Sequence, residues 1–300
     1  MLVLAMVIKL EGIMPPIPTP FTSTGDFDEG KFRNLIKWYI NIGVHGIAIC
    51  GSTGEGYAIL PDEYVRICEV AVSEVKGRVP VIAGIIVNSL KQALVYGEVA
   101  KSKGVDALMV TPPHYIFIPN EEGLYQYFKT IAETLNMPLI IYNVVPHVPV
   151  PLNVVLRLTN TVKQLVGIKQ SRGDISGLAD LVKAVGDKVS IMSAIDDLLY
   201  PSFILGAKGS IAGICTAAPD LSIDLYYAVK RGDHMEALEI HGKLLAIWRA
   251  IGQQDMPARV KALLELRGIP AGYPRKPILP LSESVREELR KVLINTGILK

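Results

Sequence analysis

The chain has 300 residues, of which half are hydrophobic and a fifth are charged. A chain of this size and composition buries a large core without disulfides or metal ions, which excludes an intrinsically disordered protein. Its formal net charge of +2, from 31 basic and 29 acidic residues, gives no electrostatic reason to expect nucleic acid as a partner.

The N-terminal residues and the cysteines indicate the cellular setting. The apolar opening MLVLAMVIKL has no basic leader or cleavage site and is too short to span a bilayer, so we predict a first strand or an extended arm and no membrane partner. Cys50, Cys68 and Cys215 are odd in number and form no CxxC pair, which argues against a disulfide framework or a thiolate zinc site. We therefore expect a reducing, cytoplasmic setting.

Short apolar, β-branched runs alternate with segments of helical periodicity along most of the chain. Eight strands are predicted, at 13–18, 46–51, 80–86, 106–111, 138–143, 165–170, 189–194 and 209–214. Strands separated by helices pair in parallel, and eight such units close a barrel. The alternative, a doubly wound open sheet, suits fewer strands and usually has a glycine-rich turn after strand one, where this chain reads PPIPTPF.

After residue 219 the pattern is helical, with predicted helices at 235–251 and 257–267 and a last helix capped by Ser284 after the Pro-rich crossing 268–280. The predicted fold is thus α/β, a (β/α)8 TIM barrel with a C-terminal helical extension. Residues 1–218 would form the barrel core, and residues 219–300 would add the last barrel helix and the extension within the same domain.

In such barrels the active site lies at the carboxyl ends of the strands. Lys169 stands at the end of strand six, directly after apolar residues, and Tyr142 stands at the end of strand five. Burial can lower the pKa of a lysine from about 10.4 towards neutrality, and a neutral amine attacks ketones. The alternatives are a lysine that reaches solvent or pairs with Asp196, and a tyrosine that bonds a core carbonyl.

The turn GSTGEG, residues 51–56, follows strand two and precedes a helix. Its backbone N–H groups and the hydroxyls of Ser52 and Thr53 are suited to holding a carboxylate. The turn is not a phosphate P-loop, because no Gly-Lys-Ser/Thr follows it.

Taken together, GSTGEG, YNVVP, GIKQSRGD, GAKGSIAGICTAAP and PTPF resemble the dihydrodipicolinate synthase / N-acetylneuraminate lyase family of pyruvate-dependent class I aldolases. The likeness runs from about residue 11 to the end of the chain. It implies that Lys169 forms a Schiff base, that Tyr142 transfers protons, and that Ser52 and Thr53 hold the keto-acid carboxylate and relay protons. It implies no metal or other cofactor and a homotetramer built from dimers.

Two departures from the family pattern concern the substrate. True synthases carry an arginine after the Tyr-Asn motif that grips the aldehyde's carboxylate, whereas this chain has His147, and an imidazole lacks the guanidinium fork. Where the family often reads TPYY, with an aromatic residue that completes the neighbouring subunit's site, this chain reads TPPHY, so His114 and Tyr115 are both candidates.

Further candidate substrate contacts lie at other strand ends. Arg172 could grip an acid or a phosphate, or be a solvated residue that pairs with Asp174 or Asp196. Asp196 matches a position that contacts hydroxyls in the sugar-acid lyases of the family, or is a helix N-cap. Gly54 and Ile211, at strands two and eight, complete the predicted set.

The leading hypothesis is a lyase that condenses pyruvate with an aldehyde, or cleaves a 2-keto-3-deoxy acid, with small molecules as its only ligands. Lys169 would form the imine, and Tyr142 with Thr53 would shuttle the proton. The histidine at 147 favours 2-keto-3-deoxygluconate-type sugar acids, with 4-hydroxy-tetrahydrodipicolinate synthesis from pyruvate and aspartate semialdehyde as the alternative. The rivals from other classes are a non-catalytic keto-acid sensor and a phosphate-binding barrel that uses GAKGSIAG as its phosphate cup.

Overall fold

A computed structural model describes residues 8–299 and places eight parallel strands in one sheet. The strands are β1 (Gly12–Ile13), β2 (Ile47–Ile49), β3 (Val81–Ile85), β4 (Ala107–Val110), β5 (Leu139–Asn143), β6 (Leu165–Gln170), β7 (Ser190–Ser193) and β8 (Gly209–Ser210). Their order in the sheet is β1-β8-β7-β6-β5-β4-β3-β2. Each of the eight predicted strands corresponds to one of these.

The sheet closes where its first strand meets its second. A single parallel bridge joins Pro16 to Ala48, and the Ala48 amide donates to the Pro15 carbonyl (3.0 Å). Since Pro15, Pro16 and Pro18 have no N–H group, only Ile13 of the predicted strand 13–18 lies in the ladder, after Gly12, and Pro16 adds this bridge. The (β/α)8 TIM barrel is therefore confirmed.

The helices that surround the barrel begin and end close to the predicted signals. They are α1 (Glu29–Ile42), α2 (Pro61–Val75), α3 (Leu90–Ser102), α4 (Glu121–Leu135), α5 (Leu152–Thr161), α6 (Ile175–Val185), α7 (Leu199–Ile204), α8 (Gly213–Ala217), α9 (Pro219–Arg231), α10 (His234–Ile251), α11 (Met256–Leu266) and α12 (Glu283–Asn295). The spacing of Phe32, Leu35, Ile36 and Tyr39 gives α1 one apolar stripe, which is fully buried, and Gly43 ends that helix with left-handed backbone.

Two boundaries differ from prediction. Strand β8 stops at Ser210 rather than 214, because residues 213–217 turn into the short helix α8. The last helix is capped at Ser282 and not at Ser284, which lies in its first turn.

Two layers of apolar side chains fill the molecule. One lies inside the barrel and includes Met14, Ala48, Met109, Tyr142 and Ile211. The larger layer lies between the strands and the helices. Strand residues alternate between these layers, so the side chain of every second residue of a strand faces the barrel interior.

The C-terminal helices pack onto the barrel. The Arg267 guanidinium, after α11, donates to the Ala217 carbonyl (2.7 Å) and to Asp220 (2.8 Å).

The division at residue 218 into core and extension, within one domain, stays a prediction. Most of the predicted N-terminal strand or arm lies outside the described residues, and within residues 8–299 no helix is both long and apolar enough to cross a membrane.

Candidate active site

Lys169 and Tyr142 face each other at the carboxyl ends of adjacent strands. The register of β5 and β6 pairs the two residues directly. Both side chains are almost fully buried, with 3% of Lys169 and 2% of Tyr142 exposed. The Nζ atom of Lys169 lies 4.0 Å from the centroid of the Tyr142 ring. The lysine thus stays in the barrel and does not reach solvent.

The Tyr142 hydroxyl connects this pair to the turn after β2. It donates to the Oγ atom of Ser52 (3.0 Å), so the tyrosine does not bond a core carbonyl. Thr53 is buried beside Ser52 in the same turn. The structure therefore brings together the amine, the phenol and the hydroxyl pair that the sequence nominated.

The turn itself contains backbone donors without a protein acceptor in the described residues. In the described part of the chain, the N–H groups of Ser52, Thr53 and Gly54 donate to no protein acceptor, whereas the N–H of Glu55 donates back to the Ser52 carbonyl (3.0 Å). Cys50 and Glu55 flank these residues with left-handed backbone, an uncommon conformation outside glycine. Successive free N–H groups in such a turn form a concave anion site.

Close packing fixes the turn against the barrel. A Cβ atom at Gly54 would lie 2.8 Å from the Ile17 carbonyl oxygen, and one at Gly56 would lie 1.9 Å from that of Cys50. The Thr19 hydroxyl, in the PTPF segment, donates to the Gly54 carbonyl (2.7 Å) and so helps to hold the turn in place. Gly54 thus acts through its backbone and its lack of a side chain.

Asp196 and Ile211 lie at the ends of the last two strands. Oδ1 of Asp196 accepts the Ile214 amide N–H (2.7 Å), so the carboxylate binds the start of α8 and not the helix that follows it in sequence. Burial raises the pKa of Asp196 to about 6, although the Ile214 amide and the charge of Lys169 oppose that shift. Ile211 is fully buried in the interior layer with Tyr142.

His147 and His114 are brought together by their loops. The Nε2–H of His147 donates to the His114 carbonyl oxygen (2.9 Å), and since a carbonyl only accepts, Nε2 carries the proton. Asn88, which the sequence did not nominate, accepts the backbone N–H groups of His114 (2.8 Å) and Tyr115 (2.9 Å). Tyr115 is 69% exposed and begins an exposed apolar run of four residues.

Arg172 lies in a cavity next to the barrel mouth whose lining differs from the Lys169–Tyr142 pair. Its exposed side chain lines a small cavity with Asn143, Gln170 and Asp174, and the described lining of this cavity does not include Lys169 or Tyr142. In the described residues it pairs neither with Asp174 nor with Asp196. Gln170 follows Lys169 on β6, so its side chain points to the opposite face of the sheet. There its Oε1 atom accepts from the side-chain amide of Asn143 (2.8 Å).

A buried ion pair beneath the turn was not predicted. Nζ of Lys261 lies 2.5 Å from Oε1 of Glu55, and both side chains are almost completely buried. Glu55 belongs to the quoted turn motif, but its partner is 206 residues away on α11. Such a separation leaves no local pattern in the sequence.

Comparison with known proteins identifies the family of this chain. The model of the Dihydrodipicolinate synthetase family matches residues 9–296. A 4-hydroxy-tetrahydrodipicolinate synthase from Methanopyrus kandleri is 35% identical over 298 residues, which cover 98% of this chain and 99% of that protein.

Two solved structures have the same fold over nearly their whole length. Dihydrodipicolinate synthase from Aquifex aeolicus superposes with a TM-score of 0.90 at 30% identity and covers 96% of this chain and 98% of its own. YagE, a prophage protein of the dihydrodipicolinic acid synthase family from E. coli K12, solved in complex with pyruvate, gives 0.92 at 26% identity and covers 97% and 99%. The chain therefore belongs to the dihydrodipicolinate synthetase family, whose members are lyases of the class I aldolase type.

Proposed function

We propose that this enzyme forms an imine between Lys169 and pyruvate and uses it to make or break a carbon–carbon bond to an aldehyde. The observation that carries the proposal is the buried Lys169 amine packed on the ring of Tyr142, whose hydroxyl is hydrogen-bonded to Ser52. This arrangement supports the proposal, because it would provide a nucleophile, a proton carrier and a second hydroxyl next to one another.

The steps follow from that arrangement. The Lys169 amine attacks the keto carbon of pyruvate and water leaves, which gives the imine. Loss of a proton from the methyl carbon forms the enamine, and this carbon attacks the aldehyde carbon, whose oxygen takes up a proton. In the aldol reaction water then hydrolyses the imine and frees the lysine, whereas with aspartate semialdehyde the substrate's own amine attacks the imine carbon, closes the ring and displaces the lysine. Tyr142, with Ser52 and Thr53, carries the protons, and the protonated imine nitrogen is the electron sink, so the proposed chemistry needs no metal or other cofactor.

The free backbone N–H groups at Ser52, Thr53 and Gly54 are suited to the carboxylate of pyruvate. They provide donors without a competing protein acceptor among the described residues. A carboxylate held there would lie beside the Ser52 oxygen that accepts from Tyr142. This location would direct the keto carbon towards the amine of Lys169.

For the second substrate we propose aspartate semialdehyde, the partner in 4-hydroxy-tetrahydrodipicolinate synthesis. The histidine at 147 predicts 2-keto-3-deoxygluconate-type sugar acids, but the relatives with about a third of their residues identical are named as synthases, which favours the synthase reaction. The sugar-acid reaction stays as the second candidate because His147 stands where the synthases carry arginine and is already bonded to the His114 carbonyl.

The imine is tested by incubation with pyruvate and borohydride, followed by intact-mass measurement and peptide mapping. We expect a reduced pyruvate adduct on Lys169 and none in Lys169→Ala. The matched control is Lys163→Ala, since Lys163 is exposed and precedes the opposite end of the same strand. The absence of an adduct in the folded wild-type protein would favour the keto-acid sensor, and protection by inorganic phosphate against heat unfolding would favour the phosphate-binding barrel.

The second substrate is tested by comparing turnover of pyruvate with aspartate semialdehyde and cleavage of 2-keto-3-deoxygluconate. We expect kcat/KM to be higher for the synthase reaction. In His147→Arg, a guanidinium fork would raise kcat/KM for the acidic aldehyde by about tenfold, which is the gain expected of one charge-assisted contact. Faster cleavage of the sugar acid by the wild-type enzyme would overturn this choice.

We also propose that the enzyme assembles as a homotetramer of dimers, in which the loop after β4 meets a second copy. Tyr115, Ile116, Phe117 and Ile118 are 69%, 71%, 88% and 55% exposed. An exposed run of four large apolar residues is typical of an interface. His114 and Tyr115 precede or begin this run, so either could complete the neighbour's site.

A further inference from the structure

The carboxylate of Glu55 connects the turn at residues 51–56 to the C-terminal part of the chain. Its Oε1 atom accepts from Nζ of Lys261 on α11, and its Oε2 atom accepts the backbone N–H of Arg275 (2.8 Å). Both oxygens are thus bonded to one segment of the chain, which lies more than 200 residues after the turn.

Lys261 is equally fixed. Its ammonium also donates to the Tyr273 carbonyl (2.7 Å) and lies 4.7 Å from the centroid of the Phe21 ring. Phe21 and Tyr273 exchange backbone hydrogen bonds. Burial lowers the pKa of Lys261 to about 8, while the charge of Glu55 opposes that shift. A buried pair with every oxygen and most protons bonded has one favoured geometry.

The same residue shapes the turn. Glu55 has left-handed backbone (φ 55°), and its N–H donates to the Ser52 carbonyl. This non-glycine conformation is unfavourable unless the surroundings impose it. The side-chain anchor on α11 supplies that constraint three residues from the hydroxyl that accepts from Tyr142.

We propose that the Glu55–Lys261 ion pair is a positioning device, through which α11 holds Ser52 and Thr53 against Tyr142. The inference rests on the proposed function, because the chemistry it supports is imine formation at Lys169. Neither residue touches the substrate, and their effect is transmitted by the backbone of residues 52–55.

The test separates positioning from stability. Glu55→Gln leaves a buried lysine without a carboxylate, whereas the double variant Glu55→Gln with Lys261→Met removes both charges. We expect the double variant to recover thermal stability lost in Glu55→Gln but not the rate of borohydride-trapped imine formation, which falls about 10- to 100-fold as for a small misplacement of a catalytic group. We also expect a higher pyruvate concentration for half-maximal trapping.

Glu63→Gln is the matched control, because Glu63 pairs with the Arg275 guanidinium but lies on α2, outside the turn. It should lower stability without slowing imine formation. A double variant that traps pyruvate at the wild-type rate would overturn the inference. Glu55→Asp is the substitute if the single and double variants at Glu55 do not fold, because it keeps the charge and shortens the side chain by one methylene. It should show the same loss of rate, and an unchanged rate would refute the positioning role.

The two proposals fail differently. Adduct formation in the wild type with unchanged rates in the variants overturns only the positioning role. If the wild type forms no adduct, the proposed function fails, and calorimetric binding of pyruvate to the same variants decides the positioning role. Weaker binding in the double variant but not in Glu63→Gln supports it, and equal binding in both refutes it.

Discussion

The Tyr142 hydroxyl joins the lysine to the turn that we propose binds the carboxylate. Its ring packs on the Lys169 amine and its oxygen reaches Ser52. Removal of that oxygen alone would leave the packing of the ring intact and break the path for protons. The role of this residue is therefore separable from its place in the core.

We expect Tyr142→Phe to lower kcat by about 10²- to 10⁴-fold, the usual contribution of a positioned proton carrier. Tyr127→Phe is the matched control, because the Tyr127 hydroxyl is buried without a partner in the described residues. Steady-state turnover with saturating pyruvate checks the result. Equal activities of the two variants would remove Tyr142 from the mechanism.

Asp196 should make the stability of the fold depend on pH. Its pKa rises from 3.8 to about 6 on folding, so the folded protein binds this proton more tightly than the unfolded chain. The stability from that proton is fully present below about pH 4 and is lost as the pH rises through 6. Above pH 6 the charge on the Asp196 carboxylate lowers the free energy of unfolding.

Asp196→Asn keeps an oxygen for the Ile214 amide and removes the charge. We expect it to raise the free energy of unfolding at pH 8 by about 1–3 kcal/mol and to change it little at pH 4. Urea unfolding at both pH values measures the difference. A stability gain that is equal at the two pH values would show that charge burial is not its cause.

Residues such as Lys169 and Tyr142 could be found from the sequence, because the carboxyl ends of neighbouring parallel strands meet at one face. The bond between Glu55 and Lys261 could not, since its two residues are 206 positions apart and no local pattern links them. The sequence predicts Asp196 as a candidate helix cap, but it does not predict the helix α8 that Asp196 contacts. The first residues of α8 lie within the predicted strand 209–214.

At the scale of elements, the turn at 51–56 is packed so closely that there is no room for a side chain at Gly54 or Gly56. We expect Gly56→Ala to destabilise the fold by about 1–3 kcal/mol, as overpacked sites do, because its Cβ atom would lie 1.9 Å from the Cys50 carbonyl oxygen. Gly242→Ala is the control: it lies in α10 with open space around it and should stabilise by about 0.5–1 kcal/mol. Urea unfolding of both variants and of the wild type measures the two changes in the free energy of unfolding. A Gly56→Ala variant as stable as the wild type would contradict the packing argument.

The alternation of strands and helices was readable because buried parallel strands are continuous apolar runs and the surrounding helices carry one apolar stripe. The errors fall where tertiary structure overrides these patterns. Proline removes ladder donors from the first strand, and the eighth strand bends into a short helix.

At the scale of the whole molecule, the exposed run after β4 predicts association. We expect Phe117→Asp to weaken assembly and to lower activity with it, whereas Met235→Asp should do neither. Phe117 and Met235 are both highly exposed, at 88% and 81%, but Met235 stands outside such a run. Sedimentation velocity at several protein concentrations measures the effect. An unchanged subunit count in Phe117→Asp would assign the interface to another surface.

The barrel closes through one bridge, and this has a consequence for its dynamics. Strands β5 and β6 pair over five residues, but Pro16 and Ala48 pair alone, next to prolines that cannot donate. Local unfolding should therefore start at this seam, and the Ala48 amide should exchange with deuterium sooner than that of Ile168. Equal protection of peptides that cover the two positions would refute this. Because the seam leads directly into residues 51–56, a covalent pyruvate adduct should slow exchange there first.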